Sequence, residues 1–183
     1  MSKIATLTSR LIIILLTSIS INSCFTFSPT STGPPGGLFE TFYAGDEGTQ
    51  YFIKPLSFKH KDNNKELNID FTFRYKDTTK DSVIINHSIL SENIYKNLDS
   101  LKINSNNDNI ILENIEHMFS QKKRKVFNSR FTTKEALPNI INLFNHNDWE
   151  IIVYNNGESI YFETPRRTRR KISNLEDDLF VLF

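Results

Sequence analysis

The chain has a single cysteine, Cys24, among its 183 residues, and only three alanines, Ala5, Ala44 and Ala136. A lone thiol excludes an internal disulfide and any cysteine-rich zinc cluster. There is no GxSxG elbow, and Gly33-Pro34-Pro35-Gly36-Gly37 lacks the lysine and the strand–helix setting of a phosphate loop. HExxH is also missing, and His60, His87, His117 and His146 occur at no metal-ligand spacing. The sequence therefore supplies no ligand set for a metal or cofactor. Carboxylates are scattered, so a hydrolase would need acids or histidines gathered into one pocket by folding.

Excess charge of one sign is lacking too. The formal net charge is +1, from 22 basic and 21 acidic residues. Residues 1–23 contribute Lys3 and Arg10 and no acid, so without them 20 basic residues face 21 acidic ones. A near-neutral body argues against a nucleic-acid partner, which selects for a clearly basic domain.

The last absence is a long hydrophobic run. The most apolar stretch, Leu11 to Ile21, is about half the roughly 20 residues needed to span a bilayer. It follows the positive Lys3 and Arg10 and weakens through Thr17, Ser18 and Ser20. A positive start, a short apolar centre and a small closing residue describe a secretory signal peptide.

The signal closes on Ile21-Asn22-Ser23-Cys24, which resembles a bacterial lipobox, with Asn22 departing from the usual small or β-branched residue. The resemblance is to small lipoproteins of Bacteroidota-type bacteria and rests on residues 1–24. It implies that residues 1–23 are removed and that Cys24 carries a diacylglyceryl group. It also implies that the new amino terminus is acylated, palmitate being a typical chain. Each buried methylene adds roughly 0.8 kcal/mol, and more than one chain gives a durable hold. Surface-exported members often carry acids just after the cysteine. Phe25-Thr26-Phe27-Ser28 has none, which implies an outer-membrane position facing the periplasm.

Three segments follow from this reading: a signal peptide over 1–23, a lipidated cysteine and tether over 24–48, and one globular domain over 49–183. Pro29, Gly33, Pro34, Pro35, Gly36 and Gly37 keep 25–38 out of helix and central strand. Extended at roughly 3.1 Å per residue, this stretch reaches about 40 Å.

Within the domain, Leu67, Ile69, Phe71, Phe73 and Tyr75 alternate with polar residues at a period of two, predicting a strand with one solvated face. Residues 51–59 read as the preceding strand, at a sheet edge because of Pro55, and 82–90 as the following one. Ser91 with Ile94, Leu98 and Leu101 predicts a helix. Residues 110–119 and 124–132 predict a hairpin across Ser120-Gln121-Lys122-Lys123. Thr133 predicts a cap for a helix through Leu137, Ile140, Ile141 and Phe144, with Pro138 tolerated in the first turn. Asn156-Gly157 between 149–154 and 158–162 predicts a tight hairpin. Ser173 and Glu176 form a capping-box pattern for a short terminal helix, and the closing 179–183 reads equally as a strand. The fold class expected is α+β and β-rich: an antiparallel sandwich or curved sheet with two or three helices.

Two basic clusters stand out. Lys122, Lys123, Arg124 and Lys125 read as a charged hairpin tip. Arg166, Arg167, Arg169, Arg170 and Lys171 repel one another without a counter-charge, and read either as a solvated segment or as a contact for an anionic partner. Asp77-Thr78-Thr79, Asp81-Ser82-Val83 and Asp99-Ser100-Leu101 resemble the O-glycosylation pattern of Bacteroidota, making Thr78, Ser82 and Ser100 candidate glycan sites. The expected function is a lipid-anchored binding or structural module of the cell envelope, with a membrane contact through Cys24 and a protein partner. An envelope-located inhibitor or immunity-type protein is the alternative, ahead of a hydrolase.

Overall fold

The computed structural model describes residues 37–76, 79–80, 82–106 and 108–183, all within one unit spanning Ser31–Phe183. Cys24 and Thr78 lie outside the described residues.

The strands are β1 (Phe39–Tyr43), β2 (Thr49–His60), β3 (Glu66–Lys76), β4 (Thr79–Lys80), β5 (Ser82–Ser91), β6 (Ser100–Ser105), β7 (Asp108–Leu112), β8 (Glu116–Lys123), β9 (Val126–Ala136), β10 (Trp149–Asn155) and β11 (Glu158–Glu163). The helices are α1 (Leu137–Phe144) and α2 (Arg166–Asp178). Every described pairing is antiparallel, in the order β7-β6-β10-β11-β2-β3-β5-β9-β8. The sheet is curled, and this is the expected α+β, β-rich architecture.

Alternation decides which face is interior. Leu67, Ile69, Phe71 and Phe73 of β3 are buried, as are Val83, Ile85 and Ile89 of β5 and Leu101 and Ile103 of β6. Both helices press apolar faces into the same core: Leu137, Ile140, Leu143 and Phe144 from α1, and Ile172 and Leu175 from α2. At its centre, Phe144 meets Phe71, Trp149 and Phe180 at ring-centroid distances of 5.4, 4.9 and 4.3 Å.

Two turns are dictated by backbone geometry. Asn156 and Gly157 have φ of 51° and 80°, the double positive that a two-residue hairpin requires. Gly48 has φ of 89°, and a Cβ there would lie 2.3 Å from the Tyr75 carbonyl oxygen, so only glycine fits between β1 and β2.

Several expectations are corrected. Among the described residues the sheet already includes Phe39–Tyr43, ahead of the expected start at Thr49, because β1 pairs with the first half of β2 and so takes the end of the expected tether into the sheet. Strand β2 is internal. It is flanked by β3 on one side and by β1 and β11 on the other, and Pro55 sits where the register shifts between Ile53 and Leu56. A bulge removes the need for the missing N–H as well as an edge does.

The helix expected after Ser91 is absent. The Ser91 hydroxyl accepts the Asn93 N–H at 2.9 Å, closing a local turn instead of a helix, and Leu101 belongs to β6. The apolar run 110–119 is split by 113–115 into β7 and β8, which lie at opposite ends of the strand order. Strand β9 continues to Ala136, so Thr133 is a strand residue whose hydroxyl donates to the Glu113 carbonyl at 2.9 Å. Pro138 does fall in the first turn of α1. At the C-terminus, α2 starts at Arg166, and Phe180–Leu182 is a 3-10 turn rather than a strand.

The outer face holds a polar cluster around Asp70. Arg130 Nη2 lies 2.8 Å from Asp70 Oδ2, Asn86 Nδ2 donates to Asp70 Oδ1 at 2.9 Å, and Arg130 Nη1 donates to the Ser88 hydroxyl at 3.0 Å. The Arg130 and Asp70 side chains are 25% and 15% exposed, so water screens the pair only in part. Arg130→Met keeps the stem but strands the carboxylate, and we expect it to cost about 2 kcal/mol, below the range for a fully buried pair. Asp70→Asn added to Arg130→Met should recover part of that loss in a urea titration. A single variant as stable as wild type would show the pair contributes nothing.

Candidate functional surface

Helix α2 is positioned by the residues on either side of its start. Thr164 Oγ1 accepts the Trp149 N–H at 3.0 Å and donates back to the Trp149 carbonyl, tying the end of β11 to β10. Pro165 then holds φ at −64° in extended backbone and supplies no side-chain cap. Thr168, Ile172, Leu175 and Leu179 recur at helical spacing and are buried, with the Thr168 hydroxyl donating to the Ser57 carbonyl at 2.6 Å. The capping-box serine is not used as a cap. Ser173 already stands inside the helix, and its hydroxyl accepts from Asn147 Nδ2 at 2.7 Å.

This phasing divides the five cations expected to act together. Arg169 is exposed but tied to the fold, with Nη2 2.9 Å from Asp148 Oδ1 and Nε donating to the Thr164 carbonyl at 3.2 Å. Arg166, Arg167 and Arg170 are exposed and Lys171 is half-buried, and none of these four makes an ion pair among the described residues. Their positions, i, i+1, i+4 and i+5, place them on one outward face. The last turn carries Glu176, Asp177 and Asp178 and no cation. Cations near a helix start and acids near its end both oppose the macrodipole, at a few tenths to about 1 kcal/mol per charge.

Lys122, Lys123, Arg124 and Lys125 form the exposed tip of the β8–β9 hairpin, with Lys122 Nζ 5.9 Å from the centre of the Phe127 ring. Strand β8 ends the sheet, is exposed along its length, and carries a register shift between His117 and Phe119. Edge lysines and a bulge are devices against edge-to-edge pairing, so this cluster fits a protective role. Of the candidate glycan sites, Ser82 is exposed at the start of β5, whereas Ser100 is half-buried in β6 opposite Tyr154.

The histidines are not gathered into one site, although two of them share an aromatic neighbour. His60 Nδ1 accepts the Asp62 N–H, and His146 Nδ1 lies 3.3 Å from Asn106 Nδ2. His117 and His87 flank the Phe131 ring at centroid distances of 5.3 and 5.6 Å. His87 is fully buried, and neither ring nitrogen has a hydrogen-bond partner among the described residues. Burial pushes its pKa down to about 4, and the Arg130 charge acts in the same direction. The Ile85 backbone opposes both weakly, without reaching hydrogen-bond geometry. Alternation in the sequence put His87 on a strand face, but its lack of partners needed the packing to be seen.

Two of the open clefts among the described residues are lined by charged side chains. One, of about 330 Å³, lies between the Asp70–Arg130 pair, Phe52 and the Lys54–Glu40 ion pair. The other, of about 310 Å³, is bordered by Glu113, Glu116, Thr132 and Lys134. No group of three or more histidine, cysteine or carboxylate side chains suited to a metal occurs among the described residues. No helix among them is long and apolar enough to cross a membrane.

Fold and surface together define a class: an α+β domain whose curled antiparallel sheet packs against two helices, one displaying cations that have no ion pair among the described residues. No protein-family model matches the chain, and comparison with curated proteins and with solved structures gives no match.

Proposed function

We propose that this protein is a lipid-anchored binding module of the cell envelope, held on the outer membrane through Cys24 and facing the periplasm. The observation that supports a binding role is the outward face of α2. Arg166, Arg167, Arg170 and Lys171 stand there without counter-charges among the described residues, in an order that lowers the stability of their own helix. A sequence tends to break a local rule where function requires it. The lipobox resemblance supports the anchor.

The anchor is tested by labelling cells with radioactive palmitate and separating their membranes. Wild-type protein should incorporate label, sediment with the outer membrane, and leave it with detergent but not with high salt. Cys24→Ser should incorporate none and lose that detergent-only release. Wild-type protein that takes up no palmitate would overturn the anchored reading.

A further inference from the structure

Among the surface features of the described residues, the α2 face carries an inference furthest, because its partner can be specified by charge and shape. Four cations on it have no ion-pair partner among the described residues, and the fifth of the cluster, Arg169, is exposed but held by Asp148 and the Thr164 carbonyl. Neither cleft described above is lined by an α2 residue. The outward positions of α2 are charged or Asn174, with no aromatic or large aliphatic side chain among them. Protein–protein interfaces are organised around buried aromatic, aliphatic or arginine anchors seated in pockets, and this face offers cations and borders neither of those clefts.

A layer of phosphates asks for neither pocket nor anchor. Arginine forks engage phosphate oxygens two at a time, and the attraction to a charged layer adds over cations without shape complementarity. We propose that the cationic face of α2 docks on an anionic lipid surface through the headgroup phosphates, with the N-terminal turns of the helix leading. Glu176, Asp177 and Asp178 at the other end are repelled by the same surface, which tips the helix instead of laying it flat. The inference deepens the envelope reading and rests on it for location. A lipidated Cys24 would hold the domain at high effective concentration near headgroups, and a basic patch beside an acyl anchor supplies a second membrane signal.

The test uses the processed chain, residues 24–183, carrying Cys24→Ser, so that neither an acyl chain nor the apolar stretch Leu11–Ile21 contributes, in co-sedimentation with phosphatidylglycerol or phosphatidylcholine vesicles. Binding to phosphatidylglycerol alone is expected, weakening as salt rises. The quadruple variant Arg166→Gln, Arg167→Gln, Arg170→Gln and Lys171→Gln should bind roughly 1,000-fold more weakly. Its circular dichroism should be unchanged, because Arg169 and the buried face are untouched. Glu176→Gln with Asp177→Asn and Asp178→Asn should bind more tightly than the parent. Neutralising Lys122, Lys123, Arg124 and Lys125 instead removes the same charge and should leave binding within about twofold, since no contact at the tip is required.

Equal binding to both lipids, an equal loss from the hairpin-tip variant, or a folded α2 variant that binds like the parent would each overturn the proposal. So would phosphatidylglycerol vesicles that capture nothing while an acidic protein is bound through these four residues. Because Cys24→Ser carries no lipid, failure here leaves the palmitate result standing, and failure of palmitate labelling leaves this result readable.

Discussion

Trp149→Ala should lower the unfolding free energy by about 3–5 kcal/mol, the range for removing a fully buried large aromatic. Trp149 is 1% exposed, and its ring meets Phe58, Phe71 and Phe144 at centroid distances of 6.0, 6.3 and 4.9 Å. It therefore joins β2 and β3 to α1 in one cluster. Its Nε1 also donates to the Leu143 and His146 carbonyls at 3.2 and 2.7 Å, satisfying the last turn of α1. Truncation removes apolar area and leaves two carbonyls without that donor. Trp149→Phe keeps most of the ring packing and should cost about 1–2 kcal/mol less than Trp149→Ala, separating the donor from the area. Because this is the sole tryptophan, the urea transitions must be followed by circular dichroism rather than intrinsic fluorescence. A loss below about 1 kcal/mol for Trp149→Ala would mean that this cluster is not the centre of the core.

Acidification should weaken the fold through His87. Its pKa falls from an ordinary 6.5 to about 4 in the native state, chiefly because burial penalises the charged imidazolium. Between those values the unfolded chain binds the proton that the native chain refuses, so unfolding becomes more favourable as pH falls. Stability from this group is complete above pH 6.5, declines toward pH 4, and falls no further below it. The full difference is about 3 kcal/mol, from roughly 1.4 kcal/mol per pKa unit. His87→Leu should flatten the slope over this interval. It should also be neutral or stabilising near pH 7, because it removes two buried ring nitrogens that have no partner among the described residues. Urea midpoints collected across the interval give the measurement. Parallel pH profiles for wild type and His87→Leu would show that another group carries the dependence.

The period-two pattern of β3 was readable because each strand face meets one environment, and the same held for the Asn156-Gly157 hairpin, whose geometry is local. Ser91 misled because a hydroxyl that can cap a helix can equally close a two-residue turn, and the partners that choose between them are distant. The Tyr95 N–H, for instance, donates to Ser129 Oγ at 3.1 Å across 34 residues. Residues 110–119 looked like one strand because apolar content does not reveal which neighbour each half will pair with. The basic cluster at 166–171 was visible as charge. Its assignment to a helix was not, because Ser173 and Glu176 offered a later start that satisfied every local rule.

By itself, then, the sequence determined the β-rich class, the Asn156-Gly157 hairpin and the core-facing side of β3, all properties set by side-chain alternation and local turn chemistry. It also determined the cationic content of 166–171 and the resemblance of 21–24 to a lipobox. Tertiary structure alone decided that β2 is internal despite Pro55, that His87 is buried without a partner among the described residues, and that Arg169 serves the fold while four neighbouring cations face outward. Those outcomes depend on pairing partners and helix phase, which are fixed by contacts between residues far apart in the chain.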